Sequence, residues 1–127
     1  MEGENSLRNF LEEVIIETNK QSDRTFELND TTGYFSIALS GAMKNKNVIC
    51  FVKNERVLSI NQNVYIERSI LNNPPYKKLK RRSSPPRGLQ LRYEDWGRYP
   101  HNLEYNLEED KKIILQLCRK ACENFRR

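Results

Sequence analysis

Short β-type segments separated by polar turns occupy the middle of this chain of 127 residues. From Arg24 to Leu71, β-branched and aromatic residues predominate, and clusters of Asn, Asp and Gly, which are typical of turns, interrupt them. In residues 34–40 apolar side chains alternate with small or polar ones, the pattern of a strand with one buried face. The segment 47–53 has a continuous apolar centre, as expected of a strand that is buried on both faces. Four strands are predicted in this region, over residues 34–40, 47–53, 57–60 and 63–71.

Amphipathic helices are predicted before and after these strands in the sequence. In residues 6–19 and 107–125, apolar side chains recur every three or four positions, which places them on one face of a helix. The second segment has acidic residues in its first turn and basic residues at its end, and both complement the helix dipole. We therefore expect each helix to pack its apolar face against the strands.

The order of these segments favours an α+β fold built around a small antiparallel β-barrel. Residues 72–88 contain four of the five prolines and a basic run, so they are predicted to form a mobile loop. Alternating apolar residues predict a fifth strand over residues 89–96. Because an open antiparallel sheet exposes long edges, we expect about five strands to close into a barrel between the two helices. Residues 1–127 are assigned to a single domain, since a chain of this length supports one hydrophobic core.

Positive charge is concentrated in the second half of the chain. Residues 1–60 carry seven basic and nine acidic side chains, whereas residues 61–127 carry fifteen basic and eight acidic ones. Such asymmetry is typical of a chain that binds an anionic partner. Most of the excess lies in residues 76–98, which contain only two acidic side chains. The candidate phosphate-binding residues are Lys77, Lys78, Lys80, Arg81, Arg82, Arg87, Arg92 and Arg98.

Neither catalysis nor a membrane span is indicated. The sequence has one histidine, His101, and lacks the glycine-rich phosphate loop, the Gly-x-Ser-x-Gly motif and paired metal-binding motifs. Cys118 and Cys122 lie one helical turn apart among apolar residues, where buried free thiols are ordinary, and Cys50 lies within an apolar strand. The longest apolar runs have about five residues, far fewer than the roughly 18 that cross a bilayer. We therefore expect a non-enzymatic protein without cofactor, metal or membrane contact, and the acidic N-terminus gives no secretion signal.

Three segments resemble the oligonucleotide/oligosaccharide-binding (OB) folds of the replication protein A middle subunit and its telomere-capping relatives. Ser36–Met43 is similar to their first strand, in which a glycine lets the strand bend around the barrel. Leu58–Ile66 is similar to a recurrent turn that precedes an apolar-aromatic-apolar triplet. Leu89–Trp96, followed by the C-terminal helix, is similar to their closing strand and helix. The resemblance implies binding of single-stranded nucleic acid, DNA in preference to RNA, within a DNA- or chromosome-maintenance complex.

Aromatic side chains interleaved with the cations indicate the same ligand. Phosphates bind Lys and Arg, and unstacked bases bind exposed aromatic rings. The interleaved aromatic residues are Tyr76, Tyr93, Trp96 and Tyr99, which lie close in sequence to Lys77, Lys78, Arg92 and Arg98. Of these rings, Tyr93 and Trp96 are the candidate base-stacking residues. The same two rings are compatible with packing inside the fold, and the basic run is compatible with a solvated loop that binds nothing.

A second function class fits the same sequence. The run Lys77–Arg82 is of the type that nuclear-import receptors recognise as an exposed, extended basic segment. It favours a nuclear location whether or not it touches nucleic acid. In this alternative the chain is an interaction subunit or adaptor, and its helices bind a protein partner. The partner interface would then consist of Ile113, Ile114, Leu117 and Phe125, provided that the core of the barrel does not already bury them.

Overall fold

The computed structural model describes residues 2–41, 47–82, 86, 89 and 97–126. Within these ranges two long helices flank six short strands in the sequence, and both predicted helices are confirmed. The elements are α1 (Glu2–Gln21), β1 (Phe26–Asp30), β2 (Tyr34–Leu39), β3 (Asn47–Val52), β4 (Val57–Ile60), α2 (Arg68–Leu71), a 3-10 helix (Tyr76–Lys78), β5 (Lys80–Arg82), β6 (His101–Glu104) and α3 (Leu107–Glu123).

The six strands form one antiparallel sheet in the order β1-β2-β3-β4-β6-β5. The first four strands follow one another as a meander, and β6 then lies between β4 and β5. β1 and β5 lie at opposite edges, so the sheet of the described residues is open. The α+β class is confirmed, but the closed barrel expected from the sequence is not observed in these ranges. The β5 edge is protected instead by its shortness and charge, since its three residues are all basic.

The two long helices pack side by side on one face of the sheet and run in the same direction. At one end, Leu7 of α1 and Leu107 of α3 line a common cleft, and at the other end Gln21 is hydrogen-bonded to Arg119. The apolar faces that the sequence predicts meet the sheet here and form the main core. Its fully buried members include Leu11, Ile37, Phe51, Leu103 and Leu117.

The opposite face of the sheet carries a smaller core that includes hydrogen-bonded polar side chains. Cys50 and Val52 of β3 pack there against Tyr99, and the Tyr99 hydroxyl lies 3.6 Å from the Cys50 sulfur. Ser59 Oγ donates to Asn102 Oδ1 at 2.6 Å, and Asn102 Nδ2 donates to the carbonyl of Tyr99 at 2.8 Å. These bonds offset the cost of removing the polar groups from water.

The strand predicted over residues 63–71 is wrong. The buried Asn61 turns the chain away from the sheet through two hydrogen bonds. Its side-chain oxygen accepts a hydrogen bond from the amide of Asn63 at 2.8 Å, and its carbonyl accepts one from the amide of Val64 at 3.0 Å. Val64 then pairs with Phe125 in an isolated bridge, and the chain continues into α2. The position beside β4 is occupied by β6.

The loop predicted over residues 72–88 contains regular structure. The 3-10 helix and β5 lie within it, and β5 is hydrogen-bonded to β6. The strand expected over residues 89–96 lies outside the described residues, apart from Leu89, which is buried. The sequence does not predict β6, because its four residues directly follow Pro100 and include no β-branched side chain.

Candidate nucleic-acid interface

Leu79 fixes the basic run to the body of the protein. Its side chain is 2% exposed and belongs to the main core, whereas Lys77, Lys78 and Lys80 around it are exposed. Its amide donates to the carbonyl of Tyr76 at 3.0 Å, which closes the 3-10 helix. A single apolar residue within a run of cations therefore holds those cations at the surface in a defined order.

Lys78 is bound to the first turn of α3. Its Nζ lies 2.9 Å from Oδ1 of the buried Asp110, an oxygen that receives no other hydrogen bond. Asp110 Oδ2 accepts the amide of Asn106 at 2.8 Å, and the Asn106 side chain caps the amides of Glu108 and Glu109. The bond to Asp110 raises the pKa of Lys78 above its ordinary value. Lys78 therefore supports the fold and is a poor candidate for phosphate binding.

The three residues of β5 make contacts that are long or solvent-exposed. Lys80 Nζ lies 3.9 Å from the carboxylate that ends β6, and the Lys80 side chain is 81% exposed. Arg82 Nη1 lies 3.4 Å from Glu55 Oε1, and Arg81 Nη2 lies 3.4 Å from Nδ1 of His101. Solvent-exposed ion pairs typically contribute about 0–1 kcal/mol, so phosphates can replace such partners.

Two further candidates for phosphate binding are described. Lys77 is exposed, and its ammonium has no ion-pair partner within the described ranges. Arg98 is also exposed, and its carbonyl accepts the amide of Gln62 at 2.7 Å, which ties its turn to the segment after β4. The other candidates, Arg87, Arg92, Tyr93 and Trp96, lie outside the described residues.

The residues expected to bind a protein partner belong to the core instead. Ile114 and Leu117 are fully buried, and Phe125 is nearly so. Ile113 is partly buried and packs against the same cluster. This corrects the interface expectation, because the sheet and α1 already cover the apolar stripe of α3.

A cleft that the sequence does not predict adjoins the basic run, although its Tyr76 is one of the aromatic residues interleaved with the cations. Tyr76 lines it together with Gln116, Arg119 and Lys120 of α3, and its volume is about 570 Å³. In the sequence, the two cations of α3 are fully explained by the helix dipole. Only the packing of the 3-10 helix along α3 brings them beside the basic run.

One wall of this cleft is held by Arg24. Its guanidinium donates to the carbonyls of Phe125 and Cys122, each at 2.7 Å. The same group lies over the rings of Phe26 and Phe125, 5.6 and 5.9 Å from their centroids. These contacts satisfy the end of α3, so Arg24 has a structural role.

The buried thiols are unreactive. Burial raises the pKa of Cys50 and of Cys122 to about 12, and it raises the pKa of Cys118 as well. At neutral pH all three are therefore protonated, and a thiol is a much weaker nucleophile or metal ligand than a thiolate. Within the ranges that the structure covers, no cluster of His, Cys, Asp or Glu is suited to a metal ion. In the same ranges no helix has the length and apolarity to span a bilayer.

No protein-family model, no curated protein and no solved structure matches this chain. Its function is therefore inferred from the placement and chemistry of its own residues.

Proposed function

We propose that this protein is a non-enzymatic, nucleic-acid-binding subunit of a nuclear DNA- or chromosome-maintenance complex, with single-stranded DNA preferred to RNA. The observation that carries the proposal is the fixed position of the basic run. Leu79 anchors it, and Lys77 and Lys80 are presented from the 3-10 helix and β5 at one edge of the sheet. Cations that are already ordered lose less conformational entropy when they bind phosphates than cations on a mobile loop.

Phosphates can bind these cations only if the cations leave their carboxylate partners at little cost in free energy. Lys80 and Arg82 meet carboxylates at 3.9 and 3.4 Å near the surface, and Lys77 has no ion pair in the described ranges. Lys78 is the exception, because its release would leave the buried carboxylate of Asp110 without its cation. The phosphate ligands proposed here are Lys77, Lys80, Arg81 and Arg82.

The resemblance to OB proteins favours the same class of ligand, and binding of this kind does not require a closed barrel. A basic edge of an open sheet also presents cations to the phosphates of a strand. On sequence grounds the proposal extends to further contacts from Arg87, Arg92, Tyr93, Trp96 and Arg98.

The adaptor alternative has weaker support. Its apolar interface on α3 is buried, so a protein partner would have to contact the polar outer side of this helix. An import receptor that needs an extended segment would have to unpair β5, because half of Lys77–Arg82 is paired with β6. Nuclear import through this run is therefore secondary to nucleic-acid binding in the proposal.

Fluorescence anisotropy with labelled single-stranded DNA, duplex DNA and single-stranded RNA, between about 50 and 200 mM salt, tests the proposal. We expect the logarithm of the affinity for single strands to fall with the logarithm of the salt concentration, by about 0.7 for each phosphate contact. Lys77→Gln combined with Lys80→Gln removes two such contacts. The double variant should therefore lower this slope by roughly 1.4.

The matched control is Arg8→Gln combined with Lys20→Gln. It removes the same charge from α1, which packs over β1 at the opposite edge of the sheet from β5. An equal loss of affinity in the two double variants would contradict the proposal. So would the absence of salt-dependent binding by the unmodified protein, and nuclear accumulation that depends on Lys77–Arg82 would then support the adaptor alternative.

A further inference from the structure

The cleft beside the basic run has the size of a small-ligand site, and its lining is mostly polar. It lies at the C-terminal ends of α1 and α3, and its volume of about 570 Å³ falls within the roughly 300–1,000 Å³ usual for such sites. Its lining includes amide and hydroxyl groups, among them Gln21, Ser22 and Gln116, and it also contains the carboxylates of Asp23 and Glu123, which the cations of Arg119 and Lys120 balance. These groups donate and accept hydrogen bonds, as the edges of nucleobases do.

Thr18 marks an unfilled hydrogen bond in the wall of this cleft. The residue is 6% exposed, and its Oγ1 has no hydrogen-bond partner among the described residues. A buried hydroxyl in a helix commonly donates to a carbonyl of the preceding turn, and one without a partner costs stability. The Oγ1 atom is shielded from solvent in the free protein, so a polar ligand supplies the missing partner only after the side chains that cover this atom move aside.

Tyr76 and Lys120 add an aromatic ring and a cation to the same cleft. Tyr76 is only partly buried, so its ring can be contacted by a second planar group. Lys77, which follows it directly, is exposed and without an ion pair in the described ranges. Through Tyr76 the cleft is therefore one residue away in sequence from Lys77, the first of the proposed phosphate ligands.

We propose that the cleft binds one nucleotide, whose base stacks on Tyr76 and hydrogen-bonds to the polar wall while Lys120 neutralises its phosphate. This inference rests on the proposed function, because the nucleotide is taken to belong to the strand that the basic run binds. A free nucleotide presents the same chemistry, and the experiment separates these two sources.

Three variants of the full chain test the site. Tyr76→Leu removes the ring but keeps apolar bulk against the core, Lys120→Gln removes the charge, and Thr18→Val replaces the hydroxyl with a methyl group. Tyr65→Leu is the matched control, because Tyr65 is 53% exposed and stacks with Arg126 instead of lining the cleft.

We expect Tyr76→Leu to weaken the binding of single-stranded DNA by about 5- to 150-fold, the range for loss of one stacked base. Thr18→Val should weaken it by roughly 2- to 10-fold, as for one lost hydrogen bond. Because the hydroxyl has no partner in the free protein, Thr18→Val should not lower the Tm, which separates a ligand contact from a structural one. Tyr65→Leu should change the affinity less than about twofold.

Titration with deoxynucleoside monophosphates, followed through the NMR signals of the Gln21 and Gln116 side-chain amides, distinguishes a free nucleotide from a strand. If DNA binds but no cleft variant weakens it and neither amide signal moves, the inference is overturned while the proposed function stands. If DNA does not bind but the monophosphate shifts both amides, the cleft is a free-nucleotide site and the proposed function fails. If neither ligand binds, both proposals are overturned.

Discussion

Single residues of the basic run have different roles although their sequence context is the same. Charge alone predicts Lys77 and Lys78 to be equivalent phosphate ligands. The structure separates them, because Lys78 neutralises the buried Asp110 while Lys77 has no such partner in the described ranges. The sequence could predict the cations of the candidate site but not their partners, since Asp110 is 32 residues away from Lys78 in the chain.

Lys78→Ala is expected to lower the Tm, because the Asp110 carboxylate would remain buried without its cation. Asp110→Asn in the same chain should restore part of the loss, since a neutral amide needs no counter-charge. Thermal unfolding followed by circular dichroism measures both effects. Lys77→Ala is the control and should leave the Tm unchanged. Equal Tm values for the two lysine variants would rule out the structural role of Lys78.

At the scale of elements, the sequence predicted what periodicity alone determines. Helical spacing identified α1 and α3, alternation identified β2, and apolar segments identified β3 and β4, whereas β1 was not among the predicted strands. The error over residues 63–71 has a physical cause, because β propensity does not reveal that Asn61 diverts the chain or that β6 pairs with β4. Pairing between strands that are distant in sequence is decided by tertiary packing, which local patterns do not record.

The placement of β5 depends on Leu79. Leu79→Ala is expected to reduce the free energy of unfolding by about 2–5 kcal/mol, because it creates a cavity in the main core. It should also release the 3-10 helix and β5, so that trypsin cleaves at the basic run faster than in the unmodified protein. Urea unfolding and timed proteolysis measure the two effects.

Leu115→Ala is the matched control for this element, because Leu115 is only partly buried against the same core. It should cost less stability than Leu79→Ala and leave cleavage at the basic run unchanged. If both variants accelerated that cleavage equally, Leu79 would not be the anchor of the run.

At the scale of the whole molecule, one charged cluster ties α1 to the sheet. Lys53 Nζ lies 2.6 Å from Asp30 Oδ1, 3.2 Å from Glu4 Oε1 and 4.5 Å from the centroid of the Phe35 ring. The hydrogen bond from Lys53 lowers the pKa of Asp30 below its ordinary value. A carboxylate of this kind stabilises the fold above its unfolded pKa of about 3.9, and the contribution is lost as the pH falls through its lower folded pKa.

Asp30→Asn is therefore expected to have a lower Tm than the unmodified protein at pH 7. The difference should shrink as the pH falls below about 4, because Asp30 then becomes protonated in the unmodified protein as well. Thermal unfolding across this range measures it. Asp23→Asn removes an exposed carboxylate that has no ion pair in the described part of the chain, and it should follow the unmodified protein at every pH. A difference for Asp30→Asn that stayed constant with pH would contradict the assignment.

The common direction of α1 and α3 makes their helix dipoles add, whereas the dipoles of antiparallel neighbours would cancel. Side chains of opposite charge compensate these helix ends, because the first turn of α3 carries three acidic side chains and the last turns of α1 and α3 carry Lys20 and Lys120. Charges at such positions stabilise the helix that carries them. In a parallel pair they have a second effect, because each of them also offsets the field that its helix end imposes on the neighbouring helix.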